Sequence, residues 1–139
     1  MAKRYNTFGT TADVGVESWG DSLPEAFEAQ AEGMFDVIAE TSGVRPVEDL
    51  KIDAEGTDDE TLLVAFLNEL LFLFDTTGVL FCEFKVVEIG GGKLKAVARG
   101  EKTDTLRHVI KTPIKAVTYH MLKVEKTPEG YGTKVVYDI

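Results

Sequence analysis

The chain has a single cysteine, Cys82, and only two histidines, His108 and His120. One thiol excludes an internal disulfide, and one Cys with two His falls short of a structural zinc set. Cys82 is expected as a small core residue, the usual place of a free thiol. Long apolar runs are missing as well. The longest, residues 62–74, is interrupted by Asn68 and Glu69 and is too short to span a bilayer. Met1-Ala2-Lys3-Arg4-Tyr5-Asn6 leads into no apolar segment, so no signal peptide is expected and a soluble, cytoplasmic protein is. There is no GxGxxG. Gly90-Gly91-Gly92-Lys93 is not a phosphate loop, because Leu94-Lys95-Ala96-Val97 continues as a strand where a helix is required, and it reads as a hairpin connection. Ser18, Ser22 and Ser42 fall in turns or caps, and no complete catalytic triad can be assembled. His120 is expected inside a strand in a structural role, and His108 is expected to be exposed.

What is present is acid, unevenly spread. The 139 residues carry a net charge of -9, but residues 1–84 hold 18 acidic and 4 basic side chains, against 6 and 11 in residues 85–139. The acidic half argues against broad non-specific nucleic-acid binding, which needs Lys and Arg to displace counterions. The basic half could face a phosphate or an acidic protein surface, or could simply be a solvated face.

Residues 8–18 read as a strand and Trp19-Gly20-Asp21 as a turn. Ser22-Leu23-Pro24-Glu25 has capping-box spacing, with proline tolerated in the first turn. Leu23, Phe27, Ala31, Met34 and Ile38 then recur at helical intervals, and the helix is expected to end near Ser42-Gly43. Residues 47–55 give weak strand alternation. Thr57-Asp58-Asp59-Glu60 suggests a second capping box, opening a helix over 59–75 that is apolar on most of its circumference and expected to be the central one. Everything beyond Gly78 reads as β: 79–89 and 93–101 as a hairpin, then 115–125 and 133–139. The sum is an α+β class, two main helices on a largely antiparallel β-sheet, in a single domain spanning 1–139.

Two aspartates near the chain ends stand out. Asp13 and Asp138 each sit in a segment that reads as strand, where a carboxylate is costly unless paired or bound to a cation. If the first and last strands pair, Asp13, Asp138 and the terminal carboxylate of Ile139 converge. Such a cluster outlines an open site for a hard cation. The other reading is that Asp13 caps a turn before Gly15 and Asp138 frays at the terminus. Lys115, just after Pro113-Ile114, is expected to pack its stem, with its ammonium either toward the acid cluster or snorkelling to water.

Five blocks in order resemble the archease family over essentially the whole chain. They are Thr11-Ala12-Asp13-Val14-Gly15-Val16, Trp19-Gly20-Asp21-Ser22-Leu23-Pro24-Glu25-Ala26-Phe27, Phe66-Leu67-Asn68-Glu69-Leu70-Leu71, Ile114-Lys115-Ala116-Val117-Thr118-Tyr119-His120, and the closing Asp138-Ile139. One departure is Thr10, where the family usually has histidine, so a role for that imidazole does not carry over. The resemblance implies a non-catalytic activator of the GTP-dependent tRNA-splicing RNA ligase, a manganese enzyme. Such activators speed guanylylation of the ligase's catalytic histidine, permit multiple turnover and can widen its nucleotide choice. By resemblance Asp13, Asp138 and Ile139 bind calcium, Ile139 through its carboxyl end, while Asp13 and Lys115 belong to the activating surface. Oxygen donors also suit magnesium or manganese. Two other classes fit an acidic α+β domain: a metal-regulated chaperone or general binding module, and a carboxylate-assisted hydrolase.

Overall fold

The computed structural model describes residues 4–9 and 12–139. The chain runs β1 (Tyr5–Gly9), β2 (Asp13–Gly20), α1 (Leu23–Ile38), a 3-10 turn at Thr41–Gly43, β3 (Glu48–Glu55) and α2 (Asp59–Thr77). Then follow β4 (Val79–Gly90), β5 (Lys93–Lys102), β6 (Ala116–Val117), β7 (Lys123–Thr127) and β8 (Gly130–Asp138). The α+β class with two main helices and antiparallel pairing is as expected, and the strands divide into two sheets. One has the order β1-β2-β8-β6, with β7 also on β8; the other is β3-β5-β4. Each helix touches strands of both sheets, so the centrality expected of α2 is shared with α1. Their facing sides and β4 supply much of the core, with Phe27 and Phe35 of α1, Phe66 of α2 and Phe81 of β4 fully buried.

Local chemistry accounts for most boundaries. Ser22 caps α1, accepting from the Glu25 amide, and proline occupies its first turn. The cap of α2 is displaced by one residue from the expected one. Asp58 accepts from the Thr61 amide while the Thr61 hydroxyl receives the Asp58 amide. Gly78, in the left-handed region at φ 76°, ends that helix. Gly91 and Gly92, at φ 61° and 75°, make the tight β4–β5 connection that strands of normal twist require.

Four expectations give way to tertiary pairing. The segment 8–18 is part of a hairpin, β1 against β2; Thr10 and Thr11 lie outside the described residues. β2 continues to Gly20, through part of the expected turn. Helix α1 stops at Ile38, short of Ser42-Gly43, because Ala39 is extended and bridges Ile110, and the Glu40 amide donates to Val109 O. Residues 103–115 are not strand. The expected 115–125 strand is an edge strand split by a bulge at residues 119–122: Thr118 N donates to Val136 O, and pairing resumes at Lys123 opposite Lys134. His120 therefore sits in an exposed turn.

Part of the charge asymmetry along the sequence is offset across the smaller sheet. Asp53 faces Lys95, Glu55 faces Lys93, and Arg99 takes Asp49 at 3.1 Å and Glu83 at 4.0 Å. Opposite charges placed as cross-strand neighbours stabilise a solvated sheet face.

Candidate functional site

The acidic corner is set by strand register. Asp13 opens β2 directly opposite Asp138, the last residue of β8, and Asp138 also faces Ala116 on β6. Directly opposed residues of an antiparallel pair project from the same sheet face with Cβ atoms about 5 Å apart. Two carboxylates placed this way repel, which a cation or a cationic partner group would offset. Asp138 is exposed, Asp13 and Ile139 half-buried, and the terminal carboxylate lies one residue beyond Asp138. The Lys115 amide donates to Asp138 O at 2.8 Å, so Lys115 is tied to the same corner by its backbone. Its side chain is exposed rather than packed along its stem, and its ammonium makes no ion pair among the described residues.

As a cation site the corner offers two side-chain carboxylates and a chain terminus. All are hard oxygen donors, which suits calcium or magnesium and not zinc. Among the described residues no group of three or more His, Cys, Asp or Glu is placed to hold a metal. The fit is therefore to an open site in which water or a partner completes the coordination.

Behind the corner lies a buried polar chain that holds β2, β8 and α1 in one register. Gln30, fully buried, donates from Nε2 to Val16 O at 3.0 Å and to Thr133 Oγ1 at 2.7 Å. Its Oε1 accepts from the Tyr137 hydroxyl at 2.8 Å. Ser18 Oγ donates to Ala26 O, so in its 2.5 Å contact with Thr133 it must accept. The protons thus run in one direction, Gln30 to Thr133 to Ser18 to Ala26, an arrangement in which each bond polarises the next. Tyr137 immediately precedes Asp138. Gln30 falls inside the α1 stripe, three after Phe27 and four before Met34, and a polar residue at a core position was the signal available in the sequence.

A second cluster had no such signal. His108 is buried rather than exposed. Its Nδ1 accepts the Asp104 amide at 2.9 Å, leaving Nε2 to donate to Glu101 Oε2 at 3.0 Å. Glu101 also takes Arg107 and the Arg45 amide, and Arg107 donates to Gly43 O. The Arg107 hydrogen bond first, then His108 and Arg45, holds the Glu101 carboxyl down at about 2. These contacts fasten the 103–112 loop onto the end of α1, the pole where β2 starts and β8 stops.

With this geometry in view, relatives share the whole chain. Residues 5–139 match the Archease protein family (MTH1598/TM1083). A protein archease of Pyrococcus abyssi is 47% identical, with 99% of each chain aligned. One from Methanosarcina acetivorans is 40% identical over 100% of this chain and 98% of its own. The solution structure of Methanobacterium thermoautotrophicum protein 1598 superposes with a TM-score of 0.85 at 31% identity, covering 99% of this chain and 100% of that one. The crystal structure of a Thermotoga maritima archease, described as a possible chaperone, gives 0.62 at 26% identity over 95% and 94%. Fold and sequence together define a small α+β protein of a known class. The chain belongs to the archease family.

Proposed function

We propose that this protein is a non-catalytic accessory factor of the GTP-dependent tRNA-splicing RNA ligase in the cytoplasm, promoting guanylylation of the ligase's catalytic histidine and repeated turnover. Family membership supports a general accessory role. The observation that carries the finer reading is the register of Asp13 against Asp138, with Lys115 bonded to the same residue. Asp13, Asp138 and the Ile139 carboxylate would hold calcium, and that ion would supply positive charge against their mutual repulsion. Asp13 and Lys115 would meet the ligase, the carboxylates turned toward its cationic, metal-bearing groove.

The test is ligation by purified ligase under single-turnover and substrate-excess conditions, with and without this protein. Acceleration of repeated cycles, lost in Asp13→Ala and reduced in Lys115→Ala, supports the reading; stimulation by Asp13→Ala equal to wild type overturns it. Calcium titration by calorimetry, with Asp138→Ala as comparison, checks the ion separately. A general chaperone, as the Thermotoga maritima description suggests for that protein, would instead suppress aggregation of unrelated clients without preferring the ligase.

A further inference from the structure

An open sheet edge presents a row of backbone donors and acceptors that can template another strand, and proteins guard such edges with charge, bulges or cover. Of the outer strands among the described residues, β3, β4, β6 and β7 are guarded. β3 carries Glu48, Asp49, Lys51, Asp53 and Glu55. β4 has register shifts at Phe81/Glu83 and Val86/Glu88, and its Val86 amide donates to Glu28 Oε2 of α1 at 2.8 Å. β6 has two residues, and β7 carries Lys123, Glu125 and Lys126.

β1 has none of these devices. Tyr5-Asn6-Thr7-Phe8-Gly9 holds no charge and no proline, and every residue of it pairs with β2 without a register shift. Trp19 N donates to Arg4 O, so the alternation of antiparallel bonding turns the Asn6 and Phe8 backbone groups to β2 and the Thr7 N–H and C=O outward. Thr7 shares a sheet face with Tyr5, which packs on Gly33 of α1, yet Thr7 is exposed. No described element covers the edge there.

We infer that this edge pairs with the same edge of a second copy, antiparallel and centred on Thr7, so that two of the larger sheets become one. The register then follows. Thr7 meets Thr7, Tyr5 meets Gly9 and Asn6 meets Phe8, and no like charges are opposed. Arg4 of each copy comes level with the row that holds Asp13 and Asp138 of the other, on the same sheet face and two strand widths, about 10 Å, from Asp13. Its long side chain spans most of that gap, and its present pair with Asp21 is half-exposed and worth little. Each acidic corner thus receives a cation from the mate, and the two-fold makes that contact twice. This match selects a second copy over an unrelated strand. The corners themselves lie at opposite ends of the joined sheet, about 25 Å apart and well beyond a Debye length of about 8 Å. The net charge of -9 therefore does not set corner against corner.

The experiment is sedimentation equilibrium of the full-length protein over a concentration series, with circular dichroism to check the fold of each variant. Wild type is expected to reach a dimer. Thr7→Lys sets two ammonium groups side by side at the two-fold axis, and Arg4→Glu brings a third carboxylate to each corner. Each is expected to weaken the dimer about tenfold or more. Val87→Lys, on the edge of β4, is expected to leave it unchanged. In a Cys82→Ser background, Thr7→Cys is expected to form an intermolecular disulfide under mild oxidation, because directly paired residues about 5.5 Å apart at Cα can be bridged. A wild type that stays monomeric throughout the series overturns the inference. So does a dimer that Thr7→Lys leaves intact, that Thr7→Cys fails to cross-link, or that Val87→Lys dissociates. A dimer unaffected by Arg4→Glu overturns the register centred on Thr7.

Discussion

His108 donates from Nε2 to Glu101 across 3.0 Å, and this contact, with Arg107, fastens the 103–112 loop to the end of β5. Backbone bonds of Val109, Lys111 and Thr112 hold it to the end of α1. The loop contains no helix or strand of its own, and the Glu101 carboxylate is the one group that binds Arg107, His108 and the Arg45 amide together. A group whose folded pKa lies below its ordinary value stabilises the fold above that ordinary value and loses its contribution as pH falls. For Glu101 the window runs from about 4.5 down to about 2. Glu101→Gln should therefore melt below wild type at neutral pH, with the difference closing across that window. Thermal melts from about pH 2 to pH 7 check this, and amide exchange at Asp104 should quicken in the variant.

The buried polar chain should be sensitive in a defined order. Gln30→Leu strands the Tyr137 hydroxyl and takes a donor from Thr133 Oγ1 and from Val16 O, and an unsatisfied buried group costs about 1–3 kcal/mol, so a loss of about 2–3 kcal/mol is expected. Tyr137→Phe removes one donor and strands only Gln30 Oε1, for about 1 kcal/mol. Urea unfolding should rank them so.

Burial first, then the charge of Glu28, raises the Glu32 carboxyl above its usual range. The folded state then holds the proton more tightly than the unfolded chain, so stability falls as pH rises through the ordinary carboxylate value toward the raised one. Glu32→Gln should raise the melting temperature at neutral pH and make no difference at acidic pH. A variant less stable than wild type at pH 7 would contradict this.

Gly100 is a position of close approach. A Cβ there would lie 1.7 Å from the Leu80 carbonyl oxygen, beside the irregularity between Phe81 and Glu83 in the β4–β5 pairing. Backbone cannot retreat as a side chain can, so Gly100→Ala should cost about 3 kcal/mol. Gly43→Ala, with open space around it, should cost far less. Chemical denaturation of the two variants decides.

Elements legible in the sequence were those with local chemistry. The Ser22 cap, the apolar stripe of α1 and the glycine pair of the β4–β5 turn could be read because each acts within a few residues. The end of α1 could not, since Ala39 leaves the helix to pair with Ile110, far along the chain. The bulge at 119–122 was hidden for the same reason: it exists only relative to β8. At the site, Asp13 and Asp138 stood out as carboxylates in strands, while Glu101 and His108 carried no spacing that set them apart.

Periodicity and capping fixed two helices and a run of antiparallel strands, because hydrophobic faces and orphan backbone groups make local demands that few arrangements satisfy. Only the three-dimensional pairing decided that residue 13 meets residue 138. Register depends on which apolar faces bury together across more than a hundred residues. A slip of one position would turn both carboxylates to opposite faces and dissolve the corner.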